Sequence, residues 1–183
     1  MKIALDVEGT IANPHLFFLE WYNKENNTNY TLNDITKWGY PQKNFNMSIE
    51  YFHEIIDKTW REKWDKIPLT EDYLATNIAL LYQFNTLDIV TCRVSCEDEI
   101  KKFLEKRIIK YDNFVGVEGS TTNKVKLDYN IFIDDSPKLA EKANIFKKPV
   151  LLYDRPWNQK IKDTTYIKRV HNFNEITATL KIP

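Results

Sequence analysis

The chain has 183 residues, 26 basic and 26 acidic side chains, and 43% hydrophobic residues, so its formal charge is zero. That length suits one domain, or one domain carrying an insertion, and can bury a core without disulfides or a structural metal. Balanced charge argues against bulk capture of a nucleic-acid polymer or an anionic membrane, and no apolar run is long enough for a membrane span. Met1-Lys2-Ile3-Ala4-Leu5-Asp6 meets an acid too early for a secretory signal. Cys92 and Cys96 lack metal-ligand or CxxC spacing and read as reduced thiols of a cytoplasmic protein. His15, His53 and His171 are too scattered to suggest a zinc site.

In chain order, the first predicted strand is Lys2–Val7, an apolar run of buried-strand character. From residue 13 to about 70 no convincing strand appears, although this stretch holds nearly half of the aromatic residues. Ile49, Phe52, Ile56 and Trp60 follow the 3/4 spacing of an amphipathic helix. The segment reads as a helical insertion whose aromatics form its own core; the alternative is that Phe17, Trp21 or Trp38 walls a substrate pocket. Thr70-Glu71-Asp72 is then expected to cap a helix carrying Leu74, Ile78, Leu81 and Tyr82. A strand follows at Leu87–Thr91. Ser95, ahead of Glu97, Asp98 and Glu99, predicts an N-cap with an acidic first turn and a stripe of Ile100, Phe103, Leu104 and Ile108. Further strands are predicted at Asn113–Val117, Asn130–Ile133 and Pro149–Tyr153, with a weaker one at Tyr166–Val170. Ser136-Pro137 opens another helix with Leu139, Ala140 and Ala143. Alternating strands and helices imply an α/β fold with a parallel sheet covered on both faces.

Chemistry-bearing residues gather at predicted strand ends. Asp6-Val7-Glu8-Gly9-Thr10 follows the first strand, and Asp134-Asp135-Ser136 follows Ile131-Phe132-Ile133. Ligands of open α/β sheets bind outside the carboxyl ends of strands. Several carboxylates converging there would repel by about 4 kcal/mol per pair at ~4 Å and an effective dielectric near 20. A cation is therefore expected, and hard oxygen ligands that also meet phosphate favour Mg²⁺. Thr91-Cys92-Arg93 and Asn123-Lys124 add a hydroxyl and an ammonium suited to an oxyanion.

The order acid pair, Thr, Lys, acid pair resembles the haloacid dehalogenase superfamily of phosphohydrolases along the whole chain. Asp6–Thr10, Thr91, Lys124 and Asp134-Asp135 are similar to its four motifs. The resemblance implies a Rossmann-like three-layer α/β/α core over residues 1–12 and 71–183, with a helical cap at 13–70. Ile133-Asp134-Asp135-Ser136-Pro137 and Leu152-Tyr153-Asp154-Arg155-Pro156-Trp157-Asn158 further resemble the cytosolic deoxyribonucleotide 5′-nucleotidase (type C) branch.

If the resemblance holds, Asp6 is the nucleophile that forms an aspartyl-phosphate, and Glu8 is the general acid and base. Mg²⁺ would be held by Asp6, the Glu8 backbone carbonyl, Asp134 and Asp135. Thr91, Cys92 and Lys124 would hold the phosphoryl group, with Lys126 as runner-up for the lysine. Glu8 stands where the family usually has Asp, one methylene shorter; an Asp-x-Glu-Gly-Thr pattern also occurs in the enolase-phosphatase branch. Arg93 has two readings, a second oxyanion or a rim salt bridge. Arg155 and Trp157 either edge the pocket or pin their own loop. The expected partner is a small phosphorylated substrate, foremost a nucleoside monophosphate, with a sugar phosphate or similar phosphometabolite as alternative. A non-catalytic member of the fold is a further alternative, and oligomeric state stays open, a dimer included. A phospho-acceptor receiver domain is disfavoured, because its acidic pair comes first and its Thr and Lys last.

Overall fold

A computed structural model describes residues 1–182. Six parallel strands run in the order β3-β2-β1-β4-β5-β6. They are β1 (Lys2–Leu5), β2 (Thr86–Thr91), β3 (Phe114–Gly116), β4 (Ile131–Asp134), β5 (Val150–Tyr153) and β6 (Ile167–Val170). Side chains alternate across the sheet, and both faces are buried. Ile3 and Leu5 join one core with Ile78 and Leu81 of α4 (Leu74–Phe84), Phe103 of α5 (Glu97–Lys106) and Phe173 of α7 (Phe173–Thr179). Ala4 and Phe132 join a second core with Leu139, Ala140 and Ala143 of α6 (Pro137–Ile145). The result is an α/β/α sandwich.

Between β1 and α4 lie α1 (His15–Asn26), α2 (Tyr40–Phe45) and α3 (Ile49–Lys63), with a 3₁₀ turn at Leu32–Asp34. Phe18, Tyr40, Phe45 and Phe52 are buried against one another, with ring centroids 5.0–5.9 Å apart. Trp21 packs on Phe18, Tyr22 and Tyr51, and Phe17 lies beneath Lys63. This segment's two crossings are tied to each other. Ala12 bridges Leu69, the Asn13 amide donates to the Pro68 carbonyl (3.0 Å), and the Thr70 amide donates to the Ile11 carbonyl (2.9 Å).

Three local expectations fail. Thr70 does not cap α4: its hydroxyl donates to the Thr10 carbonyl (2.6 Å), and Tyr73, at φ 59°, precedes the helix. Glu71 instead accepts from Tyr153 Oη (2.7 Å) and the Phe173 amide (2.9 Å). Ser95 does not cap α5 either. A 3₁₀ turn at Val94–Cys96 intervenes, and Ser95 Oγ donates to Asp57 (2.8 Å). Ile108 falls past the end of α5 at φ 58° and is 70% exposed. By contrast, Ser136 Oγ does accept from the Leu139 amide (3.3 Å), capping α6 behind Pro137. Among the described residues, no helix is long and apolar enough to cross a membrane.

Candidate active site

The strand order changes direction between β1 and β4, since the chain runs outward from β1 to β3 and then returns to β4 on the other side. Register does the rest. Leu5 pairs with Ile133 and with Ile89, so Asp6, Asp134 and Thr91 arrive together at the carboxyl edge. The Asp6 amide donates to the Ile133 carbonyl (3.0 Å), fixing where the Asp6 side chain starts.

Carboxylate oxygens of Asp6, Asp134 and Asp135 lie within 4.8 Å of one another, and all three residues are buried. Lys124 Nζ, on a residue only 3% exposed, donates to Asp6 Oδ1 (2.5 Å) and Asp134 Oδ2 (2.9 Å). The 3₁₀ turn Thr121–Lys126 aims Lys124 inward and leaves Lys126 exposed, which decides between the two lysines geometrically. Asp134 Oδ1 accepts from the Ser136 amide (2.8 Å), and Asp135 Oδ2 accepts from Trp157 Nε1 (2.8 Å). Asn158 donates to the Asp135 carbonyl (2.9 Å) and the Tyr153 carbonyl (2.8 Å), holding the β5 loop against this edge. Thr91 is buried beside them, its hydroxyl accepting from the Arg93 amide (3.1 Å). Gly9, at φ 81°, is required: a Cβ there would lie 2.2 Å from Asp135 Oδ2.

Three buried carboxylates against one ammonium leave an excess of two negative charges. Burial and the Asp134 charge push the Asp6 carboxyl up to about 7 despite Lys124, and burial with the Asp6 and Asp134 charges pushes Asp135 up well above its ordinary range. Against its own burial, Asp134 and Asp6 hold Lys124 well above its ordinary value. A divalent cation matches that excess, and the all-oxygen donor set fits Mg²⁺. Cys92, half-buried beside the cluster, has its thiol pushed up to about 11, mainly by burial, and stays neutral.

Glu8 is held elsewhere. Its carboxylate accepts from Arg93 Nε (3.1 and 3.2 Å), Arg93 Nη2 (2.9 Å) and Trp60 Nε1 of α3 (2.6 Å). Burial alone would raise its carboxyl, but the Arg93 charge and hydrogen bonds hold it below the ordinary value. Arg93 also reaches Asp57 (2.7 Å) and His53 (3.3 Å). His53, Asp57 and Trp60 share one face of α3, so this face grips both Glu8 and Arg93. Of the two readings of Arg93, the structure shows an ion pair, and it is partly buried. The sequence marked Trp60 only as part of an amphipathic stripe and did not mark Asp57.

Arg155 Nε donates to the Gly9 carbonyl (2.6 Å) and Trp157 Nε1 to Asp135, so these two residues brace the loop after β1 and Asp135 respectively. Phe17, Trp21 and Trp38 are half-buried in the packing of the helical segment; none is brought to the carboxylates by a hydrogen bond or ring contact. His15 and Tyr40, which the sequence did not single out, lie closer. The His15 ring is 5.1 Å from that of Trp157 and 6.0 Å from that of Tyr40.

A parallel sheet with this strand order, carrying acidic loops after two adjacent central strands and a helical insertion after the first, is the haloacid dehalogenase-like hydrolase fold. Three solved structures illustrate the likeness. A haloacid dehalogenase-like family hydrolase from Streptococcus pneumoniae is 14% identical with TM-score 0.65, covering 97% of each chain. A predicted phosphatase from Clostridium acetobutylicum is 13% identical with TM-score 0.66, covering 98% of this chain and 97% of the other. A predicted phosphoglycolate phosphatase from Haemophilus somnus is 16% identical with TM-score 0.61, at the same coverages. No protein-family model and no curated protein matches the chain.

Proposed function

We propose that this protein is a Mg²⁺-dependent phosphomonoester hydrolase that works through an aspartyl-phosphate on Asp6. The observation that carries the reading is the buried Lys124 joining Asp6 to Asp134, with Asp135 beside them at the switch point of the sheet. Mg²⁺ held by Asp6, Asp134, Asp135 and the Glu8 backbone carbonyl would offset phosphate charge there. An Asp6 oxygen attacks phosphorus as the bond to the leaving oxygen breaks, and water then attacks the same phosphorus to return Asp6 as a carboxylate. Lys124 orients Asp6 and neutralises phosphoryl oxygens, and the Thr91 hydroxyl donates to them. The leaving alkoxide needs a proton. Glu8, ionised beside Arg93, can supply it only after parting from Arg93 and taking up a proton from water; Asp57 and Trp60 of α3 hold Arg93 and Glu8 in place, so a shift of α3 would loosen both.

Two substrate classes compete. The nucleoside monophosphate reading rests on the Ile133–Pro137 and Leu152–Asn158 resemblances. The small phosphometabolite reading is favoured by the packing of Phe17 and Trp21 within the helical segment, away from any stacking position. Asp6→Asn should lower Mg²⁺-dependent hydrolysis of p-nitrophenyl phosphate at least about 1,000-fold, the effect expected when a nucleophile is removed. Retained turnover in that variant would defeat the proposal, and an inert wild-type chain would favour the non-catalytic alternative.

A further inference from the structure

The cations around the carboxylate edge are unevenly matched. Lys124 meets Asp6 and Asp134, while Arg93 meets Glu8 and Asp57. Arg155 forms no ion pair among the described residues, for its neighbour Asp154 is taken by Arg169. Its Nε is occupied by the Gly9 carbonyl, its guanidinium lies 4.6 Å from the Tyr153 ring centroid, and its Nη2 is shielded from solvent with no hydrogen-bond partner.

Two more stranded polar atoms lie nearby. The Tyr40 hydroxyl is unpartnered on a residue only 6% exposed, and His15 Nδ1 is buried without a partner. His15 is within electrostatic reach of Glu8 and Arg155, and Tyr40 is within reach of Glu8 and Asp135. With the His15 ring 5.1 Å from that of Trp157 and 6.0 Å from that of Tyr40, these groups from α1, α2 and the β5 loop lie close together on the Asp135 side of the carboxylates. Buried polar groups are ordinarily paired, and three unpaired in one place point to a ligand. A guanidinium only donates, so the missing partner must accept, and its planar fork suits a carboxylate best. Glu8 and Asp57 are paired by Arg93 and Arg61, and Asp135, within electrostatic reach of Arg155, makes no ion pair with it, so the guanidinium fork of Arg155 has no bound carboxylate among the described residues.

We propose that Arg155, Tyr40 and His15 form the subsite for the leaving group and select a carboxylate on it, so that the preferred substrate is a small phosphorylated hydroxy acid. This rests on the phosphomonoesterase reading and narrows it. The test is steady-state kinetics of the whole chain with Mg²⁺ on phosphoglycolate, glycerol 3-phosphate, dUMP and p-nitrophenyl phosphate. The wild type should show kcat/KM at least tenfold higher on phosphoglycolate than on glycerol 3-phosphate or dUMP. Arg155→Gln should bring that ratio near one through KM, and Arg155→Lys should restore part of it. Tyr40→Phe, which removes only the stranded hydroxyl, should lower the ratio several-fold and tests the subsite even if the Arg155 variants fail to fold. A preference for dUMP or glycerol 3-phosphate, or equal losses on all substrates in these variants, overturns the proposal while leaving an Asp6-dependent phosphatase intact. Hydrolysis of p-nitrophenyl phosphate that survives Asp6→Asn instead defeats the underlying reading, and this one with it.

Discussion

Arg93→Met isolates what the Glu8–Arg93–Asp57 contact contributes. The substitution keeps an unbranched apolar stem but deletes three hydrogen bonds to Glu8 and one to Asp57. It takes the Arg93 charge from two carboxylates whose side chains are only 20% and 17% exposed, leaving Glu8 with Trp60 and Asp57 with Ser95 and Arg61. Removing one partner of a buried pair typically costs 3–5 kcal/mol, and the residual exposure here places the expected loss near the lower end, about 3 kcal/mol. For a chain of this size that corresponds to a fall of roughly 6–12 °C in Tm. Thermal and urea unfolding at fixed Mg²⁺ would measure it. Adding Glu8→Gln to Arg93→Met should recover a sizeable part of the loss, because the stranded charge disappears. The pH dependence has a definite sign. In the wild type the Glu8 carboxyl is depressed, so its contribution is present above its ordinary value of 4.5 and is lost as pH falls through the lower folded value. In Arg93→Met the largest opposing influence is gone while burial and the Trp60 hydrogen bond remain, so the folded value rises and the variant's deficit should shrink as pH falls from neutrality toward 5. The reasoning is refuted by a variant within about 1 kcal/mol of wild type at pH 7, or by Glu8→Gln deepening the loss.

Other consequences are testable in the same preparations. Metal-free Asp6 binds its proton more tightly folded than unfolded, so its contribution to stability declines as pH rises from 3.8 toward about 7. Mg²⁺ must displace that proton, so calorimetric affinity should rise with pH between 5 and 7 and flatten above; a pH-independent affinity would contradict it. Gly9→Ala combines a left-handed backbone with a Cβ 2.2 Å from Asp135 Oδ2. It should destabilise by about 2–5 kcal/mol and weaken Mg²⁺ binding, read by urea unfolding and calorimetry. Ser136→Ala removes the cap of α6 and the partner of Thr121 Oγ1 (3.1 Å), and should cost about 1 kcal/mol in urea unfolding.

The residues at the sheet edge were legible because strand ends are marked twice, by apolar runs and by what interrupts them. Asp6, Thr91 and Asp134 each close a run of buried-strand character, and the parallel register then brings them level. Lys124 was legible as a residue but not in depth, since nothing local shows that a 3₁₀ turn buries it and exposes Lys126. Caps were read less well. Ser136 serves as expected, whereas the Ser95 and Thr70 hydroxyls answer distant partners, Asp57 and the Thr10 carbonyl. Local capping preference loses wherever a nearer acceptor is supplied by another part of the fold. Helical spacing marked Trp60 as core without saying where its polar atom points, and nothing in the sequence placed His15 or Tyr40 near the site. The grip of Arg93 on Glu8 joins positions 85 apart, and no sequence pattern carries that distance.

The paired crossings at Ala12 and Leu69 act as a socket. Because each strand's backbone is satisfied by the other, the spacing at which any intervening segment leaves and rejoins the sheet is set there and not by the segment itself. The helices between those two points could be lengthened or pruned without moving where the chain leaves and rejoins the sheet, provided that α3 keeps Asp57 and Trp60 against Arg93 and Glu8.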